Sequence, residues 1–262
     1  MKRNVIISLL LLLVLSTVSY AVPISNGSNP HNMSNLATHS GPKAAPTLSG
    51  GTDQICVFCH TPHSAAPKTP LWNRPDPKTA SFPVYGAPLE INRDAAAMAL
   101  TGYDASDPTK YPNGTSRMCL SCHDGATSIG VVLAGAPITM ETGSDVLVND
   151  GIMGNIQGVI DLASSHPVSF KYNNTVKATL LDTNKPGAYQ LPGGTIDVPL
   201  DADERMQCTT CHDPHEDTSG DASYGNLPFW RHQGNANSYV EVCNDCHTAP
   251  TIASPPPIHN IP

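Results

Sequence analysis

Hydrophobic residues are concentrated at the start of the chain and are scattered after it. Val5 to Val18 form an apolar run behind Lys2 and Arg3, and Ser19-Tyr20-Ala21 supplies the small residues that a signal peptidase requires. We therefore predict a signal peptide over residues 1–21. The alternative is an uncleaved membrane anchor, but the run is short for a bilayer span and no second candidate follows, so the mature chain is expected to have no membrane span.

The remaining pattern is weak and broken. Residues 22–52 have neither helical nor strand periodicity and are predicted to form an extended N-terminal arm, and Arg93 to Leu100 is a short helix candidate. Residues 129–200 are predicted to be a small β-rich insert, and the tail, residues 248–262, is rich in proline and expected to be extended. The β-like runs of the insert are Asp145-Val-Leu-Val148, Val168-Ser-Phe-Lys-Tyr172 and Thr195-Ile-Asp-Val198.

All eight cysteines belong to four copies of Cys-x-x-Cys-His. These are Cys56-Val-Phe-Cys59-His60, Cys119-Leu-Ser-Cys122-His123, Cys208-Thr-Thr-Cys211-His212 and Cys243-Asn-Asp-Cys246-His247. Two thiols at this spacing can form thioethers to the vinyl groups of one porphyrin, while the adjoining histidine coordinates the iron. Zinc ribbons and redox-active dithiols also use Cys-x-x-Cys, but neither needs the histidine. The motifs therefore predict four covalent haem c groups.

The composition agrees with a core built from cofactors. Aromatic residues make up only 5% of the chain, which has 25 prolines and 20 glycines, so an ordinary core would be difficult to fill. Four porphyrins would present large apolar surfaces around which loops can close. We predict that residues 53–262 form a tetrahaem domain with a multihaem cytochrome c fold, mostly irregular coil with short helices and the β-rich insert. The apoprotein is expected to be largely unfolded.

Four irons have eight axial positions, and the histidines suffice to fill them. The proximal ligands are predicted to be His60, His123, His212 and His247. The distal ligands are predicted to be His63, His166, His215 and His31, with His39 as the alternative to His31. Bis-His ligation leaves no position for a substrate and favours electron transfer. His232 and His259 are expected to be exposed.

Two distal candidates follow their motif at the same short distance. They stand in Cys59-His-Thr-Pro-His63 and Cys211-His-Asp-Pro-His215. Because so short a segment cannot easily wrap around a porphyrin edge, each is predicted to bind a haem other than the one attached just before it. A surface histidine is the alternative in both cases.

The charge of the chain limits its partners. Loss of the leader removes two of the 14 basic residues and none of the 22 acidic ones, so the formal balance becomes −10. Nucleic acid is not expected to bind such a surface. Other cytochromes or extracellular electron acceptors are the expected partners.

Several segments resemble the tetrahaem extracellular cytochromes of the OmcE type. They are Cys56-Val-Phe-Cys-His-Thr-Pro-His63, Pro70-Leu-Trp-Asn73, Cys119-Leu-Ser-Cys-His-Asp-Gly125, Ser165-His-Pro-Val-Ser-Phe170 and Cys208-Thr-Thr-Cys-His-Asp-Pro-His215. Members of this family polymerise into filaments, cytochrome nanowires, that conduct electrons along a continuous haem stack. The resemblance implies a homopolymer in which one axial histidine is donated between subunits. Here the donor would be His63, His31 or His39, and His63 is preferred because a related filament type uses the second histidine of its first motif.

The function expected from the sequence is extracellular electron transfer by an exported filament subunit at or beyond the cell surface, with the periplasm as the alternative location. A monomeric periplasmic or surface carrier is the second possibility. A multihaem reductase is the third and would need one five-coordinate iron. Because no motif lacks its histidine and no triad or phosphate loop is present, the protein is not expected to be an enzyme, and no catalytic residue is assigned.

Overall fold

A computed structural model describes about half of the chain, including all four Cys-x-x-Cys-His motifs. The described residues are 21–63, 71–78, 112–143, 145–147, 160–162, 165–174, 190–192, 198–221, 224, 227–231 and 239–247. Outside them lie residues 1–20 of the expected signal peptide, the helix candidate Arg93 to Leu100, residues 195–197, the tail and two histidines, His232 and His259.

The described chain is mostly irregular coil with short helices and two small sheets. The helices are α1 (Gly114–His123), α2 (Cys208–Cys211) and α3 (Tyr239–Asn244), with 3₁₀ turns at Thr47–Ser49 and Cys56–Phe58. The strands are β1 (Val22–Pro23), β2 (Phe170–Lys171), β3 (Arg205–Met206) and β4 (Glu216–Asp217). β1 pairs antiparallel with β4, and β2 pairs antiparallel with β3. No helix among the described residues is both long and apolar enough to cross a membrane.

Each Cys-x-x-Cys-His motif adopts or adjoins a helical turn. In the first, third and fourth motifs the histidine N–H donates to the carbonyl of the first cysteine at 2.8, 2.9 and 2.9 Å. The second motif lies inside α1. Residues three apart share one face of such a turn, so both thiols of a motif are presented on the same side.

Residues 22–52 fold into successive turns and do not form the expected extended arm. Asn26, Asn29 and Asn32 each accept, through Oδ1, the N–H of the residue two positions on, at 3.0, 2.9 and 3.3 Å. Asn29 and Asn32 are buried, and β1 attaches the segment to β4 in the second half of the chain. Asparagine at every third position supplies local hydrogen bonds in place of a helix or a ladder.

The insert contains little sheet in its described part. The run from Val168 to Tyr172 includes β2, but its partner β3 lies beyond residue 200. The strand predicted at Asp145 is wrong for residues 145–147, which bend. Ile129 N–H donates to Asp145 O at 2.7 Å, yet among the described residues no strand runs beside this segment to complete a ladder.

Among the described residues, many of the buried apolar side chains form three small clusters. One surrounds Phe170 and Met206, a second Tyr224 and Trp230, and the third Phe58. Each cluster contains or contacts a motif cysteine. The packing is therefore centred on the motifs.

Arg74 joins the first and second motifs. It is fully buried, and its guanidinium donates to the carbonyls of Ser121 at 2.8 Å, Ser128 at 2.9 Å and Ile129 at 2.6 Å. Ser121 lies in the last turn of α1, where unpaired carbonyls favour a cation. Carbonyl dipoles thus compensate this buried charge and hold the chain after the first motif against α1.

Candidate metal centres

Three motif histidines each lie opposite a second histidine. The ring centroids are 6.3 Å apart for His60 and His215, 6.1 Å for His123 and His31, and 6.3 Å for His247 and His166. Two imidazole nitrogens bound to one metal at about 2 Å, with about 1 Å from each nitrogen to its ring centre, give a separation of about 6 Å. All three pairs have the spacing of two axial ligands on one metal.

The second histidine of each pair comes from a remote segment. His215 follows the third motif but lies against His60 of the first. His31 comes from the N-terminal turns and His166 from the insert. The pairs therefore tie together distant parts of the chain, which explains why packing is concentrated around the motifs.

Ring hydrogen bonds orient four histidines through Nδ1. Nδ1 of each lies near an acceptor, so the tautomer with its proton on Nδ1 donates there. The contacts are His31 with Pro214 O at 2.9 Å, His166 with Pro167 O at 2.9 Å, His212 with Pro228 O at 3.2 Å, and His215 with Asp213 Oδ1 at 3.0 Å. A second hydrogen bond of this kind is typical of metal-bound imidazoles.

The structure favours His31 over His39 as a ligand. His39 Nε2 lies 2.9 Å from Asn32 O, and its Nδ1 accepts the Gly41 N–H at 3.0 Å, so both ring nitrogens are engaged within the protein. His31 stacks on Phe229 with centroids 4.0 Å apart. Burial, and then the neighbouring His123, lower the pKa of His31 to about 4, so its ring is neutral and able to ligate at neutral pH.

His63 is presented at the surface. Its side chain is exposed, and its backbone N–H donates to Thr61 Oγ1 at 3.3 Å. Within the described part of the chain its imidazole contacts no other ring. Of the four predicted distal histidines, three are therefore brought against motif histidines and His63 is not.

Successive motifs lie near one another. Arg74 ties the chain after the first motif to α1, which holds the second motif, and the Cys208 N–H of the third motif donates to Ser116 Oγ of α1 at 3.0 Å. Cys211 of the third motif and Cys243 of the fourth pack against the same apolar cluster. A thiol of each motif also influences the pKa of a thiol in the next: Cys59 with Cys122, Cys119 with Cys208, and Cys211 with Cys243. Burial is the main cause that raises the pKa of Cys59 to about 12 and that of Cys246 to about 12. The four motifs thus follow one another in space in chain order.

The surroundings of the first and third motifs are built alike. In the first unit, residues 56–63 and 71–74, Trp72 forms an antiparallel bridge with His60; in the second, residues 208–215 and 228–231, Trp230 bridges His212. The residue before each tryptophan has a positive φ, 60° at Leu71 and 55° at Phe229.

Equivalent hydrogen bonds flank both bridges. The residue after each tryptophan donates its N–H to the carbonyl of the second cysteine, at 2.8 and 2.6 Å. The residue after each motif histidine donates to the carbonyl before the tryptophan, at 3.1 and 2.8 Å. Sequence reasoning used Pro70-Leu-Trp but missed its counterpart Pro228-Phe-Trp, although the shared Pro, apolar residue and Trp would have revealed it.

Several buried donors have no hydrogen-bond acceptor within the described residues. They are Nε1 of Trp72, Nε1 of Trp230, and Nε and Nη2 of Arg205. Arg205 Nη1 is also without a hydrogen bond, although it lies 2.9 Å from Asp203 Oδ2 as an ion pair. Buried donors in native proteins normally have partners. The carboxylates of a porphyrin are acceptors of the required kind, so these donors fit a haem.

The donors are arranged for a porphyrin-bound metal. Among the described residues, no group of three or more His, Cys, Asp or Glu converges on a point suited to a metal ion. What is observed is imidazole pairs, which suit an iron whose other four positions are filled by porphyrin nitrogens. The residues present therefore fit haem c.

Neither a protein-family model nor a curated protein matches this chain.

Proposed function

We propose that the protein is an exported electron-transfer protein that binds four haem c groups, one at each Cys-x-x-Cys-His motif, each iron held by two histidines. Haems 1 to 4 denote the groups on the first to fourth motifs. The single observation that carries the proposal is the set of three imidazole pairs at 6.1 to 6.3 Å, each joining a motif histidine to one outside it. Hydrophobic packing alone gives no reason for such pairs to form.

Each group of the chain would have one role. The eight thiols would hold the porphyrins, the four motif histidines would each hold an iron, and His215, His31 and His166 would be the second protein ligands at haems 1, 2 and 4. Haem iron, when bound, gains and loses one electron between its ferrous and ferric states. Two strong protein ligands keep the iron low-spin and leave no position for a substrate.

Contacts between neighbouring motifs support a path through all four sites. Arg74 ties the chain after the first motif to α1, the Cys208 N–H donates to Ser116 Oγ of α1 at 3.0 Å, and Cys211 and Cys243 pack against one apolar cluster. Porphyrins attached to neighbouring motifs would lie near one another, and electron hopping requires such proximity.

We further propose that subunits join into a filament, as in the OmcE-type cytochromes that the motifs resemble, at the cell surface or beyond it. Support comes from the two like-built units. In the second unit His215 crosses to a motif histidine outside its own unit, and in the first unit His63 holds the equivalent position but is exposed. The equivalence assigns His63 to the third motif, at His212, of a neighbouring subunit. Because such a contact is head-to-tail, it continues into an open filament.

The haem content is tested by export in a host able to attach haem c. We expect the mass of the purified chain to show four porphyrin additions, and the spectra of assembled filaments to be those of low-spin haem without carbon monoxide binding. Absence of porphyrin would overturn the proposal. Rapid binding of carbon monoxide at one haem in four of the assembled filament would indicate a reductase.

Polymerisation is tested by His63→Ala, with His39→Ala as the matched control because both ring nitrogens of His39 are engaged within the subunit. The His63 variant should keep four haems, while filament yield falls at least about tenfold, since a lost ligand bond at each interface exceeds about 1.4 kcal/mol. If the His63 variant gives the same filament yield as the control, His63 is not the ligand donated between subunits. If the wild type stays monomeric in electron micrographs, the filament proposal is wrong and the monomeric electron carrier is the remaining interpretation.

A further inference from the structure

Both tryptophans of the chain occupy the same position beside a motif histidine. The indole of Trp72 meets the His60 ring edge-on, with centroids 5.7 Å apart and planes at 80°. Trp230 meets His212 in the same way, at 5.3 Å and 89°. Each contact is held by the backbone bridge between the same two residues. The arrangement occurs twice, and in each case it involves the first histidine of a Cys-His-x-Pro-His segment.

An imidazole needs such a constraint to keep its plane. Rotation about the bond to the histidine ring is broad and has no sharp staggered minima. His212 has a second restraint, because its Nδ1 lies 3.2 Å from Pro228 O. Each indole stands nearly perpendicular to its imidazole, so turning the imidazole would drive its edge into the indole face or away from it.

The planes of the paired histidines differ from site to site. His60 and His215 are 18° apart, whereas His31 and His123 are 60° apart and His166 and His247 are 84° apart. In a low-spin ferric haem the angle between the two axial imidazole planes sets the splitting of the iron d orbitals. Near-parallel planes give a rhombic electron paramagnetic resonance (EPR) signal, and near-perpendicular planes give a signal with a large maximum g value.

Resting on the proposed haem ligation, we propose that Trp72 and Trp230 are positioning residues for the proximal imidazoles of haems 1 and 3. Trp72 keeps His60 nearly coplanar with His215 and so gives haem 1 a rhombic electronic structure, unlike that of haem 4. The two tryptophans thereby help to make chemically identical bis-His sites inequivalent.

The experiment is EPR of the oxidised, fully haem-loaded chain in the wild type, Trp72→Leu, Trp72→Phe and Trp230→Leu. The wild type should give a rhombic signal and a large-g signal, and His215→Ala identifies the part that belongs to haem 1. Trp72→Leu should shift or remove a rhombic component equal to one quarter of the total haem. Trp72→Phe, which keeps a flat ring, should retain it, and Trp230→Leu should leave it unchanged.

Several outcomes overturn the inference. The inference is wrong if Trp72→Leu keeps all four haems and its haem 1 EPR signal is unchanged. It is also wrong if Trp230→Leu changes the haem 1 signal as much as Trp72→Leu does. If Trp72→Leu does not retain haem 1, Trp72→Met is measured in its place. If both of these variants lose haem 1 and Trp72→Phe retains it, the result supports a requirement for a flat ring at position 72. Loss in the Phe variant as well contradicts it. If the wild type gives no low-spin ferric EPR signals, the proposed function itself, electron transfer by bis-His haems, is wrong.

Discussion

At the scale of single residues, the paired histidines differ most in the group that accepts their Nδ1 proton. For His31 and His166 the acceptor is a backbone carbonyl, but for His215 it is the carboxylate of Asp213 at 3.0 Å. A carboxylate makes the imidazole a stronger electron donor and stabilises the ferric state. Asp213 therefore should lower the reduction potential of haem 1 relative to haems 2 and 4.

Replacing Asp213 by Asn tests this assignment. Both side chains of the pair are partly exposed, so the effect is discounted for solvent to about 0.5–1 kcal/mol, or about 20–40 mV for one electron. We expect one of the four potentials to rise by that amount in a spectroelectrochemical titration. Asp53→Asn, which removes an equal charge from an exposed site near the first motif, is the control. Equal shifts in both variants would mean that only net charge matters.

At the scale of elements, α1 and α2 are joined through Gln207, the residue that precedes α2. Its buried Oε1 accepts from Ser116 Oγ at 2.7 Å and from Ser169 Oγ at 3.0 Å, and its Nε2 donates to Asp201 Oδ2 at 2.8 Å. Both serines are fully buried. One amide thus fixes the second and third motifs against each other and against the insert.

Gln207→Ala should be strongly destabilising. It leaves the buried Ser116 hydroxyl without its acceptor and Asp201 Oδ2 without its donor, while Ser169 Oγ keeps Asn113 O as an acceptor at 3.0 Å. We expect a cost of about 2–4 kcal/mol. The midpoint of thermal unfolding of the haem-loaded protein should fall by about 5–15 °C. Gln54→Ala, at an exposed position, should change it little. A midpoint for Gln207→Ala within about 2 °C of the wild type, well below that range, would show that Gln207 does not hold the elements together.

At the scale of the whole molecule, the described apolar clusters are small and separate, and each contains or contacts a motif cysteine. The described residues also bury donors without acceptors, such as those of Arg205, and bring imidazoles together in pairs. These groups are costly to bury unless a bound group satisfies them. The fold should therefore depend on its cofactors, as in other proteins organised by metals.

Haem removal is the direct test of that dependence. A chain that starts at residue 22, produced in a reducing cytoplasm without haem attachment, should give the circular dichroism of a coil. It should also have no cooperative thermal transition. The haem-loaded protein, produced by export, is the control. Cooperative unfolding of the haem-free chain would show that the polypeptide supplies its own core.

The sequence predicted candidate ligands better than the conformation that presents them. The four motifs could be recognised from residue type and spacing, and the candidates His31, His166 and His215 are histidines that the structure places against motif histidines. The turns at Asn26, Asn29 and Asn32 and the pairing of β1 with β4 did not follow, because they depend on local side-chain bonds and on remote contacts. Which histidine faces which motif needed the fold, since the partners lie up to 155 positions apart, as His60 and His215 do.

The closeness of the second and third motifs bears on how the protein is made. The Cys208 N–H donates to Ser116 Oγ at 3.0 Å, and the hydroxyls of Thr115 and Thr209 are 2.7 Å apart, so Cys119 and Cys208 belong to adjoining turns. In the exported chain that we propose, oxidation of two neighbouring thiols to a disulfide would take one attachment point from each of two motifs. Burial also makes folded thiols such as Cys59 poor nucleophiles by keeping them protonated. On this proposal, porphyrin has to reach the chain before it folds. Haem attachment then competes with folding and disulfide formation. A chain that folds first would be cross-linked and unable to bind all four haems.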